Sequence, residues 1–216
     1  WNRDKLTLGL GFYDESLSRN NFYKNKVSQY SINLFSQLEG FISNNTNYII
    51  GARYDDYNNY KSQISPRIAI RTKLFEDVFF KSSIGRGFKA PDFRQLYFNF
   101  SNSTVGYSVI GFNVVNEVIY ELTKNNQIVN LVVPIEEFNE ELKPESSFSI
   151  NAGFKYYPSN NVKLEINLFR NDIDNLIDYK VIANKKNGQN VFSYFNLNKV
   201  YTQGIESTFN FKPNRK

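Results

Sequence analysis

The chain has 216 residues and a formal net charge of +5, and it contains no cysteine, methionine or histidine. It therefore offers no disulfide, no thiolate, thioether or imidazole metal ligand, and no histidine base for serine–histidine catalysis. Mean hydropathy is low, and no apolar run reaches the roughly 20 residues of a membrane-spanning helix, so a helical membrane protein is excluded.

Eight segments of the chain alternate apolar and polar residues, which is the period of a β-strand. In chain order they cover 4–13, 28–40, 47–56, 61–73, 78–87, 146–157, 162–173 and 192–211. The clearest, 146–157, places Phe148, Ile150 and Phe154 on one face and Ser149 and Asn151 on the other. Such long strands with one apolar and one polar face suit a sheet between lipid and water, because a bilayer-spanning strand needs about 9–11 tilted residues.

The connections between these segments are asymmetric. Those at 41–46, 74–77 and 158–161 are short, the ones between them are mostly longer, with a loop near 183–190, and the connection 88–145 is very long. Short periplasmic turns and long outer loops are typical of outer-membrane barrels. We therefore predict an all-β fold, an antiparallel transmembrane β-barrel segment of about eight strands; a large soluble antiparallel sheet is the alternative.

Charge and aromatic content agree with that prediction. Seven charged residues fall on the polar phase of their strands, where a barrel has its wet interior: Arg53, Arg67, Arg71, Lys81, Lys163, Glu165 and Glu206. Aromatic residues make up 17 % of the chain, as expected of aromatic girdles. Lys and Arg are otherwise scattered, not gathered on one stripe, so no nucleic-acid partner is predicted.

Six motifs, in order and at compatible spacing, resemble the barrel of TonB-dependent outer-membrane receptors. They are Gly51–Tyr57, Ser65–Arg67, Gly85–Pro91 with Gln95–Tyr97, Leu142–Ser146, Phe169–Ile177, and Phe192–Lys199 with Gly204–Glu206. Within the family, the chain is most similar to receptors for catecholate siderophores and colicins, with the cobalamin receptor second.

The resemblance implies a barrel of about 22 strands, plugged by an N-terminal domain and opened by TonB, in the outer membrane of a Gram-negative bacterium. In that order, residues 1–216 form a partial barrel domain, roughly strands nine to sixteen. The plug, the TonB-binding region and the last strands do not appear in the sequence. The chain opens directly into an alternating run and stops one strand past a loop, so we expect it to be part of a longer polypeptide.

The connection 88–145 is the predicted place of function, because loops this long are usually functional or disordered. Its aromatic residues can stack on a planar ligand, and arginines in the lumen and at the rim can attract an anionic one. The candidate ligand-binding residues are Arg53, Arg71, Arg86, Tyr97, Phe100, Tyr107 and Phe112. The alternative is that Val105–Val118 and Ile128–Pro134 form an extra hairpin in which these aromatics only pack.

The predicted function is TonB-dependent uptake of a metal chelate, foremost a ferric siderophore, which brings its own oxygen ligands. The expected partners are the chelate, outer-membrane lipid and TonB, and no cofactor or protein metal site is expected. Cobalamin and haem remain alternatives, as does a structural or adhesive barrel without transport. An enzyme is not predicted, because a Ser–His or Asp–His pair cannot be built without histidine.

Overall fold

The computed structural model describes residues 4–213, and they fold into one large, predominantly antiparallel sheet. Its strands are, in chain order, β1 (Lys5–Ser18), β2 (Lys26–Ser43), β3 (Thr46–Tyr57), β4 (Tyr60–Phe75), β5 (Val78–Lys89), β6 (Asn99–Asn102), β7 (Tyr107–Ile110), β8 (Ile128–Leu131), β9 (Glu145–Ser159), β10 (Val162–Lys185) and β11 (Asn190–Phe211). Two helices, α1 (Phe93–Tyr97) and α2 (Val115–Lys124), lie between β5 and β9. Within residues 4–213 no helix has the length and apolar character needed to span a membrane.

The long strands form a meander that is not closed on itself within the described residues. The order is β1-β2-β3-β4-β5-β9-β10-β11-β7-β6, and β8 pairs separately with β10. All eight predicted strands are present, so the prediction of an all-β antiparallel segment is confirmed. Several are longer than predicted: β1 continues to Ser18 and β10 to Lys185. Because β10 is longer, the connection expected at 183–190 shortens to 186–189. Strands β3 and β4 are joined by a tight turn at 58–59.

Side chains on one face of this sheet are apolar and uncovered. One row, read across neighbouring strands by register, consists of Leu6, Leu38, Ile50, Ile68, Ile84 and Ile150. Leu6 is 60 % exposed and Ile150 is 45 % exposed. An apolar face this wide is unfavourable in water, whereas hydrocarbon covers it without cost. This is the face predicted to contact lipid, and we call it the outward face.

The opposite face carries the polar phase of each strand. In the pairing of β3, β4 and β5, the row Asn47, Arg71 and Lys81 lies on this face. We call it the inward face, because in a barrel it lines the lumen. The tight turns at 44–45, 76–77 and 160–161 define the inner end of the sheet, and the connection 90–144 lies at the outer end.

The prediction that Val105–Val118 and Ile128–Pro134 form an extra hairpin is wrong. Residues 115–124 are helical. The apolar residues of this helix recur at helical spacing and form one stripe that packs against the hydrophobic core: Val115, Val118, Ile119 and Leu122. Strand β7 instead pairs with β6 and, in parallel, with the outer end of β11, while β8 pairs with β10. The connection is therefore built onto the sheet and is not a separate hairpin above it.

A hydrophobic core exists only at this outer end of the described residues. Phe112, Phe138 and Phe195 form its aromatic centre, with ring centroids 5.1 Å apart for Phe112–Phe138 and 4.9 Å for Phe138–Phe195. Ile119 and Leu96 are 1 % and 2 % exposed and complete it from α2 and α1. The core fixes the long connection against β10 and β11, so that the aromatic residues on its other side are held in place.

Candidate functional site

Six aromatic rings form a continuous series of contacts across the outer end of the sheet. In contact order, this outer aromatic ladder consists of Phe22, Phe98, Phe100, Tyr107, Phe192 and Tyr179, and the successive centroid distances are 6.2, 5.5, 6.2, 6.5 and 5.9 Å. It joins the β1–β2 loop to β6, β7, β11 and β10. Two predicted ligand residues, Phe100 and Tyr107, are therefore brought together within it.

Backbone pairing explains why the rings meet. Phe100 lies opposite Val109 in the β6–β7 pair, and the parallel pairing of β7 with β11 sets Val109 beside Phe192. Ser108 and Ile110, on the alternate positions of β7, are buried on the side of the hydrophobic core. Because side chains of a strand alternate between its two faces, Tyr107 and Val109 are left on the side away from the core.

An open cavity of about 480 Å³ lies along this ladder. Tyr107, Tyr179, Phe192 and Tyr194 supply its aromatic wall, and Asn190 supplies an amide. Its volume falls in the range of small-molecule sites, about 300–1,000 Å³. The phenol of Tyr194 is protonated at neutral pH, as tyrosine ordinarily is, and can donate a hydrogen bond; burial raises its pKa further. The cavity thus combines stacking surface with a few polar groups.

The sequence prediction missed Tyr179, Phe192 and Tyr194. They belong to the β10–β11 hairpin, far along the chain from β7, and only the parallel pairing of β7 with β11 unites them. The alternation of Phe192 and Tyr194 on one face of a strand was a visible signal. Nothing in the sequence indicated, however, that this strand would meet the long connection.

Tyr97 and Phe112 are placed differently from Phe100 and Tyr107. Phe112 is 5 % exposed and packs within the hydrophobic core. Tyr97 is partly buried against the same core, and its carbonyl oxygen accepts a hydrogen bond from the amide of Tyr23 at 3.1 Å. In this structure, both residues hold the connection in shape.

The three candidate arginines do not reach the ladder. Arg53 makes an ion pair with Asp55 at 2.7 Å on the inward face of β3. Arg71 also faces inward, near the inner end, with its guanidinium carbon 4.4 Å from the ring centroid of Phe79. Arg86 is register-paired with Phe148 and shares the outward phase of Ile84, so it lies at the outward rim. Their roles as ligand residues remain predictions.

Arg86 also borders a second cleft at the outer end. The cleft measures about 630 Å³ and is lined by both signs of charge, among them Lys61, Lys143, Glu140 and Glu141. Within residues 4–213 no group of three or more acidic, histidine or cysteine side chains is placed to hold a metal ion. We take the aromatic cavity as the candidate ligand site, because Tyr107, Tyr179, Phe192 and Tyr194 give it a stacking surface.

Comparison with known proteins agrees with this architecture. A family model described as TonB-dependent receptor-like β-barrel matches residues 1–212. The chain belongs to the TonB-dependent receptor family. Members of this family are transporters and receptors of the Gram-negative outer membrane, not enzymes. A search of curated protein sequences found no match to this chain.

Solved TonB-dependent receptors share the fold. The siderophore receptor PirA from Pseudomonas aeruginosa superposes with a TM-score of 0.74 and 22 % identity, covering 94 % of this chain and 35 % of PirA. The ferric enterobactin receptor PfeA from the same organism gives a TM-score of 0.68 and 20 % identity, covering 94 % of this chain and 30 % of PfeA.

A hemophore receptor shares the fold as well. HasR from Serratia marcescens, solved with its hemophore HasA and haem, gives a TM-score of 0.71 and 15 % identity, covering 97 % of this chain and 37 % of HasR. The chain therefore spans about a third of the length of these TonB-dependent receptors.

Proposed function

We propose that this chain is the middle of the barrel of an outer-membrane receptor that takes up a metal chelate, foremost a ferric siderophore. In the complete receptor, a plug domain and a TonB-contacting region precede it and further strands follow it. Residues 1–216 then form roughly strands nine to sixteen of about 22. The outward face contacts lipid, and the inward face lines the lumen.

The outer aromatic ladder and its open cavity carry this proposal. A ferric catecholate brings its own oxygen ligands and presents planar rings, so the protein has to supply stacking surface and hydrogen-bond donors rather than metal ligands. Tyr107, Phe192 and Tyr179 supply the rings, and Tyr194 supplies a phenol donor. PirA and PfeA, which share the fold, are a siderophore receptor and a ferric enterobactin receptor.

Haem is the second candidate, and the likeness to HasR favours it. The aromatic cavity suits a planar porphyrin as well as a catechol. This chain contains no histidine, so an imidazole ligand for haem iron would have to come from another part of the receptor. Cobalamin uptake and a barrel without transport are weaker candidates, and the experiment below distinguishes them from siderophore uptake.

The test uses the complete receptor in a strain that lacks its other iron receptors. We expect it to bind ferric enterobactin and to support growth on it only when TonB is present. Tyr107→Ala and Phe192→Ala should each weaken binding about fivefold, in line with the roughly 1 kcal/mol of an aromatic pair.

Tyr120→Ala is the matched control, because Tyr120 lies in the same connection but is 67 % exposed on α2 and outside the ladder. Haem and cobalamin are measured in parallel with ferric enterobactin. If none of the three binds and a sugar or a peptide does, the substrate class is wrong. If growth on a bound chelate does not depend on TonB, the transport proposal is wrong.

A further inference from the structure

Strand β8 has one paired edge and one free edge. Its pairing with β10 sets Leu131 opposite Ala183 and Asn130 opposite Asn184. Within residues 4–213, no other strand pairs with β8. Strand β10 pairs with β11 along its other side, so the free edge of β8 faces away from β11. An unpaired strand edge is a template for the addition of another strand.

The free edge presents backbone groups to a partner. The amide of Val132 donates to the Ile182 carbonyl of β10 at 2.8 Å. Successive residues of an antiparallel strand direct their amide and carbonyl to alternate edges, so those of Leu131 point to the free edge. A partner therefore has to bring carbonyl and amide groups of its own in register, which an extended polypeptide does and a lipid tail does not.

The side chains of β8 are apolar and uncovered. Val129 is 66 % exposed, and Leu131 and Val132 are exposed as well. The strand pairs with the outer tip of β10, well past Asp174, the last residue of β10 that pairs with β9. This position lies above the lipid-covered part of the sheet, so these side chains face water. An exposed apolar edge strand of this kind marks a site of interaction with another chain.

Charges of opposite sign flank the two ends of β8. At its start, Lys124 ends α2, and the amide of Lys186 donates to the Gln127 carbonyl at 2.8 Å. Just past its end lies Glu136. Within residues 4–213, none of Lys124, Lys186 and Glu136 takes part in an ion pair. Their charges therefore favour a partner strand with carboxylates at one end and cations at the other.

We propose that β8 is the docking site for an extended segment of a separate protein at the cell surface, which adds a strand antiparallel to β8 along its free edge. The segment is apolar in its middle, basic at its N-terminal end and acidic at its C-terminal end. Antiparallel pairing then sets the basic end beside Glu136 and the acidic end beside Lys124 and Lys186. This rests on the proposed function, because it takes the outer end of the sheet to face the medium.

A second copy of this chain fits the free edge less well than a separate protein. Two receptors in one membrane point the same way, so their β8 strands run in the same sense along the membrane normal. Paired strands would then set Lys124 and Lys186 of one copy beside the same lysines of the other, and like charges repel. Parallel pairing is also slightly less stable per residue than antiparallel pairing.

Hydrogen exchange in the complete receptor tests the proposal with a synthetic peptide, Lys-Lys-Val-Thr-Val-Thr-Val-Glu-Glu. We expect the Leu131 amide to exchange quickly in the free receptor and about tenfold more slowly when the peptide is saturating, because a carbonyl of the added strand then accepts from it. Fast exchange with the peptide present overturns the proposal. Slow exchange in the free receptor also overturns it, since another part of the receptor or a second copy then covers the edge.

The matched control is the same peptide with N-methylated valines. It keeps every side chain but loses the backbone amides that would donate to β8, so it should bind at least about tenfold more weakly. The peptide with exchanged ends, Glu-Glu-Val-Thr-Val-Thr-Val-Lys-Lys, should bind about threefold more weakly, the effect of exposed ion pairs. Equal binding of either control peptide contradicts the proposal.

Variants of the receptor provide a second arm. Leu131→Pro removes the amide that faces the free edge, a position where an edge strand tolerates proline, and should weaken peptide binding about tenfold. Leu131→Thr keeps the amide and should retain most of the binding. Unchanged binding in Leu131→Pro overturns the proposal, and if that variant does not assemble, the N-methylated peptide decides. Ferric enterobactin binding is measured separately, so failure here leaves the uptake proposal standing.

Discussion

At the scale of single residues, some glycines on the inward face make room for a large side chain on the neighbouring strand. Phe35 interrupts the polar phase of β2, and its register partner on β1 is Gly9. A Cβ at Gly9 would lie 2.0 Å from the Phe35 ring, so the ring occupies the space that the glycine leaves. Phe169 lies opposite Gly204 in the same way. A residue that looks misplaced in one strand is thus explained by its neighbour.

Gly153 is the glycine whose replacement we expect to matter most in the sheet. A Cβ there would lie 2.4 Å from the carbonyl oxygen of Ile166, a backbone atom that cannot rotate away. Gly153→Ala should therefore lower the free energy of unfolding by about 1–3 kcal/mol, the usual cost of overpacking. Urea unfolding of the complete receptor in lipid vesicles measures it.

Gly204→Ala is the matched control for this prediction. There the added Cβ would meet the side-chain ring of Phe169 at 3.1 Å, and a ring can shift by a few tenths of an ångström. We expect a smaller loss of stability than for Gly153→Ala. Equal losses in the two variants would contradict the argument from backbone contact.

Tyr60 gives a pH-dependent prediction outside the membrane span. It lies at the outer end of β4, its phenol donates a hydrogen bond to the Pro91 carbonyl at 3.0 Å, and burial raises its pKa. The folded chain therefore holds this proton more tightly than the unfolded chain. Stability should be unaffected below about pH 10, the ordinary tyrosine pKa, and should fall as the pH rises above it.

Tyr60→Phe removes the ionisable group while keeping the ring. The difference between the unfolding free energies of the two proteins, measured from about pH 8 to 11, isolates the contribution of Tyr60. Its slope should appear only in the alkaline half of this range. A slope in the neutral half, or none at all, would contradict a raised pKa.

At the scale of elements, the connection 90–144 is an added layer of the sheet and not a free loop. Strands β7 and β8 join β11 and β10, and α2 covers the hydrophobic core. Gly111 permits the close approach: its amide donates to the Phe98 carbonyl at 2.7 Å, and a Cβ there would lie 2.4 Å from the Leu96 carbonyl carbon. The layer thus places Phe98, Phe100 and Tyr107 of the aromatic ladder beside Phe192 of β11.

Variants of Phe112 and Tyr107 distinguish packing from ligand contact. Phe112→Ala should destabilise the outer layer by about 3–5 kcal/mol, because it empties a buried aromatic site between Phe138 and Phe195. Hydrogen exchange of residues 107–124 should rise accordingly. Tyr107→Ala should leave this exchange unchanged while weakening ligand binding.

The two variants are expected to differ in hydrogen exchange, which should rise in Phe112→Ala and stay unchanged in Tyr107→Ala. If Phe112→Ala weakens ligand binding without any change in hydrogen exchange, Phe112 contacts ligand directly, as the sequence prediction had it. Tyr120→Ala, on the exposed side of α2, is the control for both measurements.

At the scale of the whole molecule, two solvents act on the two faces of the sheet. On β2, Leu34 is 55 % exposed on the outward face, between Leu10 and Tyr54. On the same strand, Gln37 faces inward and its amide donates to Glu39 at 2.8 Å. Between the hydrophobic core and the inner end, the sheet is therefore stabilised by backbone hydrogen bonds between strands and by lipid contact on its outward face only.

Leu34→Arg should destabilise the receptor in a bilayer by about 2–4 kcal/mol, since an arginine there faces hydrocarbon. Gln37→Arg should be nearly neutral, because water and Glu39 lie beside it. Urea midpoints in lipid vesicles compare the two. Equal tolerance of arginine at both positions would show that lipid does not cover the outward face.

Several features could be predicted from the sequence because they depend on local pattern. The strand 146–157 was predicted closely, since alternation alone reports two different environments. Helix α2 was missed: its apolar spacing was present at Val115, Val118 and Ile119, but it was interpreted together with its neighbours as a strand. Phe100 and Tyr107 were identified as aromatics of the long connection, whereas Tyr179 and Phe192 were not.

The sequence by itself determined which residues face lipid and which face water. Side chains of a strand alternate between its two faces, so the alternation of apolar and polar residues in each strand indicates its lipid face and its water face without information on distant residues. Only the tertiary structure decided which strands meet. The parallel pairing of β7 with β11 assembles the aromatic cavity, and the register of β3, β4 and β5 gathers Asn47, Arg71 and Lys81. Such contacts join residues far apart in the chain, and their geometry follows from hydrogen-bond register between strands, which no local pattern encodes.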